Sequence, residues 1–173
     1  KQEIIVFGNN FHGRMITIVS FSTSDKYKEG FGPLTPGFVT VDYGDLAAVE
    51  KAITKNTCGI LVEPMQGEGG MYQPPAGFLK GLRDLSDKHD LMLVFDEIQV
   101  GLGRTGKMFC FEHENVIPDA VILGKAIGKD PRERYASAGE LAKVRTEPRV
   151  APNSMRFMPS LPGDLSPAKS RGV

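Results

Sequence analysis

The 173-residue chain carries 21 Lys and Arg against 21 Asp and Glu, enough length for one domain with a real core and a formal charge of zero. That balance excludes a nucleic-acid surface built on bulk positive charge, and no apolar run is long enough to cross a membrane as a helix. The two cysteines, Cys58 and Cys110, lie in apolar stretches and are expected as buried free thiols in a reducing compartment.

Ile4–Phe7 is an apolar run read as a strand. The chain therefore opens inside an element and not on a secretory leader, and it is expected to be a piece of something longer. Residues 8–14 form a loop by their Gly and Asn content. Residues 16–21 fit a helical turn or an extended run, and periodicity leaves both open. A Gly/Pro loop over 30–37 leads into a second strand, Phe38–Val41. Asp45 is a good N-cap for a helix with Leu46, Val49 and Ile53 on one face. The third strand, Cys58–Val62, ends on Glu63 and runs into a glycine-rich loop that closes at Gly70. Pro74 and Pro75 lead into a helix through Phe78, Leu79, Leu82 and Leu85. Leu91–Phe95, five apolar residues in a row, suits a strand covered on both faces and ends on Asp96. A loop over 101–106 and a short apolar piece around Phe109 and Phe111 follow. Pro118 and Asp119 break the chain before a last strand, Ala120–Leu123, which passes through Gly124 to Lys125.

This alternation argues for an α/β layer with a largely parallel sheet. Ligands bind such sheets at the carboxyl edge. Three strands ending on Glu63, Asp96 and Lys125 would gather acid and amine in one crevice there.

Three other patterns carry less. Gly101-x-Gly103-x-x-Gly106 matches a dinucleotide fingerprint, but residues 96–100 separate it from the strand and no long helix follows. Read as a phosphate-cradling P-loop, the same stretch puts Met108 after Lys107, where Ser or Thr should reach a magnesium ion that a thioether binds poorly. A plain loop is the reading of both. His12, His89 and His113 are not at metal-ligand spacing, so no metal site is expected, and His89 reads as a solvated helix cap.

Five stretches occur in one order: Asn10–Arg14 (NFHGR), Leu61–Gly70 (LVEPMQGEGG), Val94–Gln99 (VFDEIQ), Gly101–Gly106 (GLGRTG) and Leu123–Gly128 (LGKAIG). Together they strongly resemble the class III pyridoxal-phosphate-dependent aminotransferases over residues 1–128. The resemblance implies the central part of the large domain of a fold type I transferase, an α/β unit with a mostly parallel sheet and flanking helices. Within the class, residues 30–38 and 43–45 look most like ornithine aminotransferase, with the acetylornithine and 4-aminobutyrate enzymes as alternatives. Pyridoxal 5'-phosphate is then the expected cofactor, with amino-acid and 2-oxo-acid substrates. No nucleic-acid or membrane partner is expected. The full-length family implies a homodimer, in the cytoplasm or alternatively the mitochondrion.

By that resemblance Lys125 holds the cofactor through its amine and moves the substrate proton. Asp96 matches the carboxylate that keeps the cofactor's ring nitrogen protonated by favouring its charged form. Gln99 matches the donor to the ring oxygen, and Ile98 matches the packing on one ring face. Phe11 matches the aromatic on the other face, with His12 beside it. Arg14 matches the arginine whose planar fork takes a substrate carboxylate, and Glu63 and Glu68 match acids of the substrate pocket. Read singly, Lys125 is a solvated lysine, Asp96 a strand-end cap and Phe11 ordinary core. The conjunction of motifs carries the assignment.

After Gly128 the family's glycine cluster and Pro-Val-Ser strand are replaced by Lys129-Asp-Pro-Arg-Glu-Arg-Tyr135. The charge also changes sign there, from 12 basic and 16 acidic residues over 1–128 to 9 and 5 over 129–173. The expected division is a partial cofactor-binding large domain, 1–128, and a divergent, disordered tail, 129–173, as in a truncated or frame-shifted product or an exon misjoined to its neighbours. The family's phosphate-binding loop and small domain have no counterpart in these residues. A non-catalytic fragment that associates with full-length subunits is therefore the competing expectation.

Overall fold

A computed structural model describes residues 1–125; the tail expected over 129–173 lies outside the described residues. Five strands form one parallel sheet: β1 (Glu3–Phe7), β2 (Phe38–Val41), β3 (Thr57–Val62), β4 (Met92–Asp96) and β5 (Ala120–Ile122). Their order is β2-β1-β3-β4-β5, so the chain reverses its direction of travel across the sheet between β2 and β3. The register pairs Ile60 with Leu93, Val62 with Phe95 and Asp96 with Ile122. The α/β expectation and all five strands hold, with β2 at its expected bounds and the others moved by one residue at one or both ends.

The helices are α1 (Ile16–Ser20), α2 (Asp25–Lys28), α3 (Leu46–Ala52) and α4 (Phe78–His89). The ambiguous stretch after Arg14 is thus helical, and α2 had no apolar period to announce it. Asp45 caps α3 as expected, its Oδ1 accepting from the Ala48 amide at 2.9 Å. The two prolines before α4 do not enter its first turn. Gly77 stands between, at φ +81, a left-handed conformation that glycine adopts without steric cost.

The core lies between one sheet face and helices α3 and α4. Ile5, Phe7, Ile60, Val62, Leu93 and Phe95 meet Val49, Phe78, Leu79 and Leu82 there. β4 departs from the expectation of cover on both faces: Leu93 and Phe95 are fully buried, Val94 is half-buried and Met92 is 57% exposed. A helix covers only one side of it among the described residues, and alternation then decides which side chains are buried. His89 also departs from its reading as a solvated cap, because its Nε2 is shielded from water.

Candidate active site

Parallel pairing of β3, β4 and β5 brings their carboxyl ends to one edge. Glu63 follows the last residue of β3, Asp96 ends β4, and Lys125 lies three residues past Ile122, the register partner of Asp96. The loop after β1 returns to the same edge with Phe11 and His12.

Asp96 is 4% exposed, and its carboxylate is oriented from two sides. Its Oδ2 lies 2.7 Å from His12 Nδ1, and its Oδ1 accepts from the Ile98 amide at 3.0 Å. A carboxylate only accepts, so the His12 proton facing it sits on Nδ1. The His12 ring in turn rests on Phe21, at 5.7 Å between centroids. Glu63 is equally buried and accepts from the Phe11 amide at 3.1 Å and the Gly67 amide at 3.4 Å. Burial holds its carboxyl above the usual carboxylate range; the Phe11 amide and the nearby His12 pull the other way without cancelling that effect.

The remaining residues form a more open rim. Gln99 Nε2 donates to Glu68 Oε1 at 2.9 Å, and the same oxygen lies 4.0 Å from Lys125 Nζ. Lys125 has φ +50, in the left-handed region. Gly124, just before it, lies beside Ile98, and a methyl group there would meet Ile98 Cγ1 at 3.4 Å. Phe11 meets Tyr27 edge-on at 5.5 Å, and the exposed Arg14 guanidinium lies 6.0 Å from the Phe11 ring centre. A cleft of about 150 Å³ opens here, lined by Asn9, Phe11, Tyr27 and Glu68 among others. The nine residues expected at the site thus fall into three linked groups: His12, Asp96 and Ile98; Phe11, Arg14 and Glu63; Gln99, Glu68 and Lys125.

Sequence reasoning missed a second set that builds the site. Glu97 is completely buried, and its two carboxylate oxygens accept from the Cys110 and Phe111 amides at 2.9 and 3.0 Å. It pins the short 3-10 helix Cys110–His113 beneath the edge. Burial raises its carboxyl above the usual range, against those two amide bonds. Tyr43 donates to the Glu63 and Pro64 carbonyls at 3.0 and 3.1 Å. Asn10 Nδ2 ties the Phe7 and Phe21 carbonyls together. None of these has a periodicity signal, since each acts through at least one backbone group 11 or more positions away.

The donor set suits a pyridine cofactor that carries an aldehyde. A carboxylate sheltered from water stands at one strand end, a primary amine follows the neighbouring strand, and the amide of Gln99 lies near that amine. Lys125, Asp96, Ile98, Gln99, Phe11 and His12 are the residues that would hold it.

Comparison with known proteins agrees. The "Ornithine aminotransferase 1" of Staphylococcus aureus is 55% identical over 126 residues, which are 73% of this chain and 32% of that protein. The "Ornithine aminotransferase 2" of Staphylococcus saprophyticus is 53% identical over 128 residues, 74% of this chain and 32% of that protein. The crystal structure of the ornithine aminotransferase from Toxoplasma gondii superposes with a TM-score of 0.70 at 44% identity, covering 71% of this chain and 30% of that one. The chain therefore spans about a third of the length of the curated relatives it matches. The family profile described as aminotransferase class-III matches residues 1–132. With the motifs, the parallel sheet and the acid–amine edge in place, the chain belongs to the class-III aminotransferase family.

Proposed function

We propose that these residues form the cofactor-holding centre of a pyridoxal-phosphate-dependent aminotransferase that transfers the terminal amino group of ornithine to 2-oxoglutarate. The observation that carries this reading is the placement of Asp96 at the end of β4 and of Lys125 three residues past the end of the neighbouring β5. When bound, pyridoxal phosphate supplies an electron sink for the charge that develops at the substrate carbon. Asp96, turned by His12 and the Ile98 amide, would favour the protonated form of the cofactor's ring nitrogen. Gln99 would donate to the ring oxygen, while Ile98 and Phe11 would confine the ring. Lys125 Nζ would take up the proton from the substrate carbon and return it. Arg14 takes a substrate carboxylate, and Glu63 and Glu68 set the polarity of the amine pocket. The reading places amino-acid and 2-oxo-acid substrates in a homodimer of the whole protein.

A second reading, a non-catalytic piece held by a full-length subunit, is favoured by bare apolar side chains. Met71 is 68% exposed and Tyr72 57% exposed.

The test adds pyridoxal phosphate to the purified chain, reduces with borohydride and maps the modified peptide. An adduct confined to Lys125, absent from Lys125→Ala and followed by turnover of ornithine in preference to acetylornithine and 4-aminobutyrate, supports the first reading. Copurification with a full-length homologue, with no adduct in the chain itself, supports the second.

A further inference from the structure

The glycine motif over 101–106 lies outside the residues proposed to hold the cofactor. Its one arginine nevertheless reaches the site from outside. Arg104 donates from one terminal nitrogen to the Ile98 and Gly101 carbonyls, at 3.5 and 3.4 Å. From the other it donates to the Lys125 carbonyl at 2.6 Å. A guanidinium offers only donors, in a rigid fork that matches several acceptors at once. The first two bonds are local to the loop. The third spans 21 residues and is the shortest.

We propose that Arg104 is a positioning residue: it clamps Lys125 against the segment that carries Asp96, and so sets where the amine meets the cofactor. This deepens the aminotransferase reading and rests on it.

Three features support the clamp. Lys125 stands at φ +50, a conformation that non-glycine residues hold only when their surroundings enforce it. A charge-assisted bond to its own carbonyl is such an enforcement. The other end of the clamp is part of the acid's support, because Ile98 accepts from Arg104 through its carbonyl while its amide donates to Asp96. The loop itself is anchored. Gly101 donates to the Glu97 carbonyl at 2.8 Å, Gly103 donates to the Met108 carbonyl, and Gly103 and Gly106 take left-handed turns on either side of Arg104. A fixed loop lets a long side chain transmit position.

The test uses the full chain and Arg104→Gln, with Arg104→Lys as the variant that keeps charge without the fork. Lys107→Gln is the loop control, since among the described residues Lys107 Nζ donates to the Glu112 carbonyl within the same turn region and not to Lys125. Two readouts are taken. The first, without cofactor, is amide hydrogen exchange of the peptide over 120–125 relative to that over 57–62. The second is the share of borohydride-trapped pyridoxal phosphate found on Lys125 rather than on other lysines. Loss of the charge-assisted bond predicts about tenfold faster exchange at 120–125 in Arg104→Gln, and loss of the fork a smaller rise in the same direction in Arg104→Lys. It also predicts about a tenfold fall in selectivity for Lys125, with circular dichroism and the Lys107→Gln control unchanged. Wild-type exchange at 120–125 in both variants overturns the proposal, and so does exchange that rises equally in the control. If the wild-type chain traps no cofactor on Lys125, the aminotransferase reading of this chain fails while the exchange comparison still decides whether Arg104 holds Lys125.

Discussion

Asp96 and Glu97 are adjacent carboxylates with opposite tasks. Successive side chains at a strand end point to opposite sides, so Asp96 turns to His12 while Glu97 turns into the core beneath Cys110 and Phe111. Asp96→Asn keeps the volume and loses the charge. In the proposed mechanism it should leave the adduct on Lys125 and slow the single-turnover reaction with ornithine by about 10²-fold or more; stopped-flow absorbance measures that. Cys110 feels Glu97 from the other side. Its thiol is pushed up to about 11, first by burial and then by the Glu97 charge. A neutral, buried thiol is a poor nucleophile. Under native conditions at about pH 8 a disulfide reagent should leave Cys110 unlabelled, and urea should release it, as peptide mapping of the labelled chain would show.

At the scale of elements, strand contacts outrank helix ends. In β3, Gly59 pairs with Met92 of β4, and a methyl group at Gly59 would stand 2.8 Å from the Met92 carbonyl oxygen. That oxygen belongs to backbone and has no side-chain rotamer to relieve the contact. Gly59→Ala must therefore part β3 from β4, at a cost of about 1–3 kcal/mol. Asp45→Ala removes one capping bond of α3 and should cost about 1 kcal/mol. Urea unfolding of both variants should place Gly59→Ala below Asp45→Ala. Parting β3 from β4 also moves Glu63 relative to Asp96, so Gly59→Ala should weaken cofactor trapping while Asp45→Ala leaves it unchanged.

Across the whole molecule, buried carboxyls make stability fall as pH rises. Burial raises Glu63 and Glu97 in the folded state, so the folded chain keeps protons that the unfolded chain has released. Their contribution is complete below the ordinary value of 4.5 and is lost as pH climbs through the raised folded-state values. Cys110 repeats the pattern between 9.0 and about 11. Glu97→Gln removes one of these groups. It should lower stability at pH 5, because a buried amide is left with an accepting oxygen at only one of the two bonded positions. It should also flatten the decline above pH 5, and denaturant titrations across that range would show both effects.

Strand order of appearance, the Asp45 cap and the three strand-end residues were legible in the chain alone, because each is a local pattern: an apolar run, a capping side chain, a charge after a strand. The family motifs were legible because their residue types are unusual in combination. What local pattern could not reach was set by neighbours. Which face of β4 is covered depends on where α3 and α4 dock, so Met92 and Leu93 differ in exposure although both are apolar. His12 as the partner of Asp96, Glu97 as the anchor of Cys110–His113, and Arg104 as a donor to Lys125 each join residues 13 to 84 positions apart. By itself the sequence determined the strands and the chemistry placed at their ends. Only the tertiary structure decided which acid met which donor, because hydrogen bonds between distant segments depend on strand order and register and leave no period along the chain.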